Sequence, residues 1–168
     1  MDLLKELSNK DIGEQNKKVK YELRKAARTV LFNKNKVALL FVSKYGYHKL
    51  PGGGIEENET IKEGLKREIV EETACNTKIK NELGIIIEYR DDVNELQISY
   101  CFIAEVIKIL KTNLFTDEEK EEGYELQWVS LDEAIKLIEK EKPSNYIGKF
   151  IVKRDLIFLK KAKDLINQ

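Results

Sequence analysis

Residues 48–75 read HKLPGGGIEENETIKEGLKREIVEETAC. Three glycines follow a proline, and Glu68, Glu71 and Glu72 then fall within five residues. The spacing of apolar positions predicts a helix from about Thr60 to Thr73. At 3.6 residues per turn the three carboxylates occupy an arc of roughly 100°. Ile61, Gly64 and Leu65 lie one or two turns earlier on nearly the same stripe, which should face the protein. An ordinary amphipathic helix would carry apolar side chains at 68 and 72, and this one carries glutamates. The plain alternative is a solvated acidic face; the shared stripe argues for a cluster turned inward.

Such a cluster is costly alone. Two like charges about 4 Å apart repel by roughly 4 kcal/mol at an effective dielectric near 20. No compact set of Lys or Arg in the sequence visibly answers all three acids, so a divalent cation is the expected partner. Oxygen-only ligands favour Mg²⁺ or Mn²⁺ over zinc or copper, and Mg²⁺ commonly bridges to phosphate oxygens. A phosphorylated small molecule is therefore the expected substrate. Gly52, Gly53 and Gly54 would let the backbone approach a metal or phosphate without Cβ clashes. Gly64, on the glutamate face, would let that loop pack close.

Outward from this stretch, AARTVLFN and VALLFVSKY around NKNK read as a hairpin. ELGIIIEYR and LQISYCFIAEVIKIL, joined by RDDVNE, read as a second. The charged TDEEKEEG leads into a strand over YELQWV. Ser130 with Glu133 suggests a capping box for a helix through Glu139. Lys142-Pro143-Ser144-Asn145 breaks the chain before a last helix, from about Tyr146 to Leu165. Residues 1–20 are polar and weakly patterned, expected as an N-terminal arm or short helix ahead of a single domain over 21–168. This order predicts an α/β fold, a mixed sheet with helices on both sides.

Hydrophobic residues make up 42% of the 168, and 30 basic residues balance 30 acidic ones. That balance argues against a nucleic-acid polymer or a membrane surface as partner. Cys75 and Cys101 stand in no CxxC spacing and away from His48, the one histidine, so zinc is not expected and both are read as structural free thiols. Residues 1–18 hold no apolar run long enough for a signal peptide or membrane span, and a cytoplasmic location is expected.

The central stretch resembles the Nudix box, G-x5-E-x7-R-E-U-x-E-E-x-G-U with U aliphatic. It runs from Gly53 through Glu59, Arg67, Glu68, Ile69, Glu71 and Glu72 to Cys75. Ala74 departs from the usual glycine, which puts local geometry in question more than activity; Cys75 is a mild variant of the closing apolar position. The chain is thus similar to the Nudix, or MutT-like, hydrolases. That resemblance implies an α/β/α sandwich around a mixed β-sheet and hydrolysis of a nucleoside diphosphate linked to another group. It implies that Glu68, Glu71 and Glu72 bind Mg²⁺ or Mn²⁺ with the Gly53 carbonyl, that Arg67 holds a glutamate in place, and that Glu59 supports Arg67. Glu68 or a glutamate of TDEEKEEG, with Glu122 preferred over Glu119, would act as base. Dimers are common in the family, which leaves a homodimer open.

Three further residues are candidate substrate contacts: Arg28 for a phosphate, His48 at the mouth of the glycine loop, and Tyr47, with Tyr45, for a base. Ordinary packing is the competing reading for each. Among substrates, nucleoside triphosphates, ordinary or oxidised, are slightly favoured by the compact chain. The proline that would suggest ADP-ribose about fifteen residues past the box is replaced by Arg90. A non-catalytic nucleotide-binding module on the same fold is the second reading; nothing points to an isomerase.

Overall fold

The computed structural model describes residues 1–111 and 114–167. Its strands are β1 (Leu3–Leu7), β2 (Glu22–Asn33), β3 (Lys36–Val42), β4 (Tyr47–Lys49), β5 (Cys75–Arg90), β6 (Glu95–Ile109) and β7 (Tyr124–Ser130). Its helices are α1 (Ile61–Thr73), α2 (Asp117–Glu121), α3 (Leu131–Lys140) and α4 (Tyr146–Ile166). The sheet runs β1-β5-β6-β2-β3-β4, with β7 also pairing β3. β1 is parallel to β5 and β2 to β6, while the remaining pairs are antiparallel.

Both faces of this sheet are covered, and the alternation of side chains along its strands follows from that. Val30, Leu39 and Cys101 pack with Phe150, Phe158, Leu159 and Ile138 of α3 and α4. Their chain neighbours Leu31, Ala38 and Phe102 pack with Leu65 and Ile69 of α1 on the other side. The result is the expected α/β/α sandwich. The two hairpins, α1 and the final helix form as the sequence predicts. Ser130 caps α3 by accepting from the Glu133 N–H, one half of the expected box.

Residues 1–20 meet the expectation of an arm or short helix only in part: a short 3₁₀ helix forms over Asn9–Ile12, and a strand precedes it. Residues 3–7 are an edge strand, hydrogen-bonded where the Ile85 N–H meets the Asp2 carbonyl (2.8 Å). A Cβ on Gly84 would lie 2.4 Å from Leu4 Cγ, so the glycine admits this strand. Its pattern was obscure because Leu7 is its one buried side chain. TDEEKEEG likewise holds a short helix, α2, capped by Thr116.

The feature that positions the site is a parting of strands. β2 and β3 pair at Phe32–Val37 and Asn33–Lys36, then separate as β3 takes β7 and β4 as neighbours. The glycine loop docks on the edge of β2 thus left open: Ala27 N donates to Gly53 O, Thr29 N to Pro51 O and Ile55 N to Lys25 O, each at 3.0 Å. Gly52, with φ of 128°, could carry no side chain there, since a Cβ would sit 2.1 Å from the Ala27 carbonyl oxygen.

Ala74 ends α1 in the left-handed region (φ 51°, ψ 38°), where the box usually has glycine. Ala74→Gly is expected to raise stability by roughly 1 kcal/mol by removing the Cβ strain. Thermal unfolding should show the midpoint rising by about 2–4 °C; an unchanged or lower midpoint would refute the strain.

Candidate active site

Helix α1 starts on a reciprocal cap: Thr60 Oγ1 accepts from Glu63 N, and Glu63 Oε2 accepts from Thr60 N (2.9 Å). One turn on, the guanidinium of Arg67 gathers the site. Nε donates to Glu59 Oε1 (2.7 Å), Nη2 to Glu59 Oε2 (3.1 Å) and to the Gly54 carbonyl (3.0 Å). Nη1 donates to Glu68 Oε1 (3.0 Å) and Glu71 Oε2 (3.2 Å). Glu59 is thereby paired with Arg67, whose hydrogen bonds hold its carboxyl down to about 2. Gly64 is needed for the same closure, because a Cβ there would lie 2.7 Å from Ile55 Cδ1 and 2.8 Å from Glu59 Oε2.

Glu72 is the buried acid, 1% exposed. Its Oε1 accepts from Lys49 Nζ (2.9 Å) and its Oε2 from the Gly52 N–H (2.6 Å). Burial pushes this carboxyl up to about 7, against the pull of Lys49 and of the Gly52 N–H. Lys49 Nζ also donates to the Tyr124 hydroxyl (3.3 Å) and stands 4.6 Å from that ring's centroid, a cation–π contact.

The expectation that no cations answer the acidic trio is therefore overturned. Arg67 meets Glu68 and Glu71, and Lys49 meets Glu72. Among the described residues, no three carboxylate, thiol or imidazole groups converge on one point. Lys49 carries no motif signal, and its position beside Leu50-Pro51 is the one clue in the sequence.

Glu68, Glu72 and Gly53 line a cleft of about 540 Å³, together with Arg28, Lys49, the α2 acids Glu118 and Glu119, and Glu122 at the C-cap of α2. Glu119 is engaged elsewhere, accepting from the Thr116 N–H (2.7 Å). Glu71 is not in the cleft lining. The Gly53 carbonyl accepts from Ala27 N, which leaves one of its two lone pairs for a ligand.

Two expected substrate contacts are corrected. Tyr47 is buried in the core beside α3 and α4, stacked on Tyr45. His48 is buried too, with its N–H on Glu141 Oε2 (2.8 Å) and its ring between Glu141 and Gln127. Neither lines the cleft. Strand β4 alternates its side chains, and at this edge the alternation sends Lys49 rather than His48 toward the acids.

The NUDIX domain profile matches residues 22–148. A 62-residue stretch is 42% identical to the ADP-ribose pyrophosphatase of Methanocaldococcus jannaschii, and spans 37% of this chain and 37% of that protein. Among solved structures, the fold is similar to an ADP-ribose pyrophosphatase from Streptococcus suis (TM-score 0.54, 18% identity, 83% of this chain and 92% of that one). It is similar also to the MutT protein from Methanosarcina mazei (TM-score 0.58, 21% identity, 87% and 99%). At these identities the structural likeness is one of fold.

Lys49→Met leaves Glu72 buried without a cation and is expected to cost roughly 3–5 kcal/mol of unfolding free energy; denaturant titration showing a loss below about 1 kcal/mol would contradict the pairing. A second expectation concerns pH. Burial works to lower the His48 pKa, but hydrogen bonds to Glu141 and Gln127 outweigh it and raise it above the ordinary 6.5. The protonated ring thus favours the folded state. Its stabilisation is present below about pH 6.5 and is lost as pH climbs through the raised folded value. The stability gap between wild type and Glu141→Gln should be widest below that pH and narrow above it; a gap that widens on alkalinisation would refute the assignment.

Proposed function

The chain belongs to the NUDIX domain family, and from that premise we propose that it is a pyrophosphohydrolase, dependent on Mg²⁺ or Mn²⁺, acting on a nucleoside diphosphate linked to a further group. One observation carries this reading: the carboxylates of Glu68 and Glu72, the acids of α2 and the cations Arg28 and Lys49 line one cleft around the glycine loop. A Cβ at Gly53 would fall 2.2 Å from Glu68 Oε1, so the missing side chain lets that carboxylate pack directly against the loop backbone.

The donor set fits a hard cation. Glu68, Glu72 and the Gly53 carbonyl offer oxygens only, and each carboxylate oxygen already bonded to Arg67 or Lys49 retains a further lone pair. Glu71 would join through a turn of its side chain away from Arg67. A bound ion would supply Lewis-acid polarisation of the phosphoanhydride and offset the charge that develops there. The chain does the rest. Arg67 fixes Glu68 by a charge-assisted bond. A glutamate, Glu122 or Glu68, takes a proton from water as its oxygen bonds to phosphorus and the bridging P–O bond breaks. Lys49 and Arg28 face the phosphate charge.

ADP-ribose is the first substrate to try, because the matched relative is named for it; nucleoside triphosphates are the competitor, on the compactness of the chain. A panel of ADP-ribose, nucleoside triphosphates and nucleotide sugars with Mg²⁺ or Mn²⁺ should show turnover of at least one. Glu68→Gln should lower kcat by about 10²–10⁴ while circular dichroism shows a folded protein. Tight binding of a panel member with no turnover would instead support a non-catalytic nucleotide-binding module.

A further inference from the structure

Behind the glycine loop, between the sheet and α4, four arginines come together: Arg24 and Arg28 on β2, Arg90 at the end of β5 and Arg154 on α4. Three carboxylates face them. Glu88, fully buried, accepts from Arg90 Nη2 (3.0 Å), Gln97 Nε2 (2.7 Å), Ser99 Oγ (3.1 Å) and Arg154 Nη1 (3.4 Å). Asp155 accepts from Arg154 Nε (2.7 Å) and from the Leu50 N–H (2.8 Å). Glu95 accepts from Arg90 Nη1 (2.7 Å) and lies 3.9 Å from Arg24 Nε. Arg24 also donates to the Gln97 side chain.

Arg24, Arg28, Arg90 and Arg154 against Glu88, Glu95 and Asp155 leave one cation over, and the contacts say which. Among the described residues Arg28 has no carboxylate partner. Its Nη1 donates to the Ala27 carbonyl (3.1 Å) and its Nε meets no acceptor. It is 5% exposed, paired in register with the buried Cys101, and it lines the cleft. Burial without a counter-ion pulls its pKa down to about 10. Such a group is expensive for a fold to keep, and the same place in β2 could hold an apolar residue, as Ala26 and Val30 on either side do. The orphan guanidinium stands beside the backbone pairs that dock the glycine loop, Ala27 to Gly53 and Thr29 to Pro51.

We propose that Arg28, flanked by Arg24 and Arg90, is an oxyanion subsite that binds a phosphate of the nucleotide on the α4 side of the cleft, opposite the carboxylates of α1. As a subsite for the substrate it rests on the proposed function, but anion binding can be measured apart from turnover. The bound phosphate completes the ion pairing that the folded chain leaves unfinished, and the planar guanidinium suits a tetrahedral oxyanion.

The experiment is calorimetric titration in chelator with AMP, ribose 5-phosphate and inorganic pyrophosphate, on wild type, Arg28→Lys and Arg28→Met. Wild type should bind at least one of the three. Arg28→Met should weaken that binding about tenfold or more, and Arg28→Lys should restore part of it. Preference for a monophosphate or for pyrophosphate tells which phosphate of the substrate the subsite takes. Without ligand, Arg28→Met should melt at a temperature equal to or above wild type, because it removes an uncompensated buried charge. Wild type that binds none of the three, unaltered binding by Arg28→Met, or a markedly lower melting temperature of that variant would each overturn the proposal. If no substrate turns over while these anions bind through Arg28, the reaction fails and the subsite stands; turnover with indifference to Arg28 has the opposite meaning.

Discussion

The parting of β2 from β3 governs the rest of the molecule. Two ladder pairs join these strands, after which β3 satisfies its backbone with β7 and β4. The N–H and C=O groups of β2 between Lys25 and Thr29 are then taken up by the glycine loop. A buried strand edge must be paired, and a loop with side chains could not come this close: the Ala27 carbonyl occupies the space of a Gly52 Cβ. The docked loop sets the start of α1 and brings Glu68 and Glu72 to the open end of the gap. The same gap exposes the β2 residue beneath it, Arg28, to the cleft.

Around that gap the protein balances its charges in pairs that differ in depth. Arg67 is partly exposed and serves four acceptors at once, the Gly54 carbonyl and three carboxylates. Its role is to tie loop to helix, and its bonds survive small movements because the guanidinium presents a fork of donors. Lys49 and Glu72 are both buried, so each needs the other. Arg28 completes the series as a buried cation that has no carboxylate partner among the described residues. The cleft thus contains carboxylates whose oxygens are shared and a cation that is unshared, an asymmetry suited to a ligand with phosphate oxygens.

Helices α1, α3 and α4, the two hairpins and the identity of the site stretch were legible in the residues themselves. The i to i+4 grouping of acids on α1, the Ser130 cap of α3 and the β-rich runs of the two hairpins are local patterns. The positive φ of Ala74 follows from its place at a helix end where glycine is usual. The edge strand over residues 3–7 was obscure for an equally local reason: one buried leucine does not make a period. The direction of β4 was missed as well, since a three-residue strand gives no pattern from which to choose between His48 and Lys49.

Local periodicity, backbone stereochemistry and the spacing of the Gly53–Cys75 stretch are carried by neighbours in the chain, so the sequence by itself determined the sandwich and the acidic helix. Which charge meets which was decided by the tertiary structure. Lys49 reaches Glu72 across 23 residues of chain, Asp155 reaches the Leu50 N–H across 105, and Arg28 meets no acid among the described residues. Ion pairing depends on distance and burial in space, and both come into being when the sheet, the loop and α4 close together.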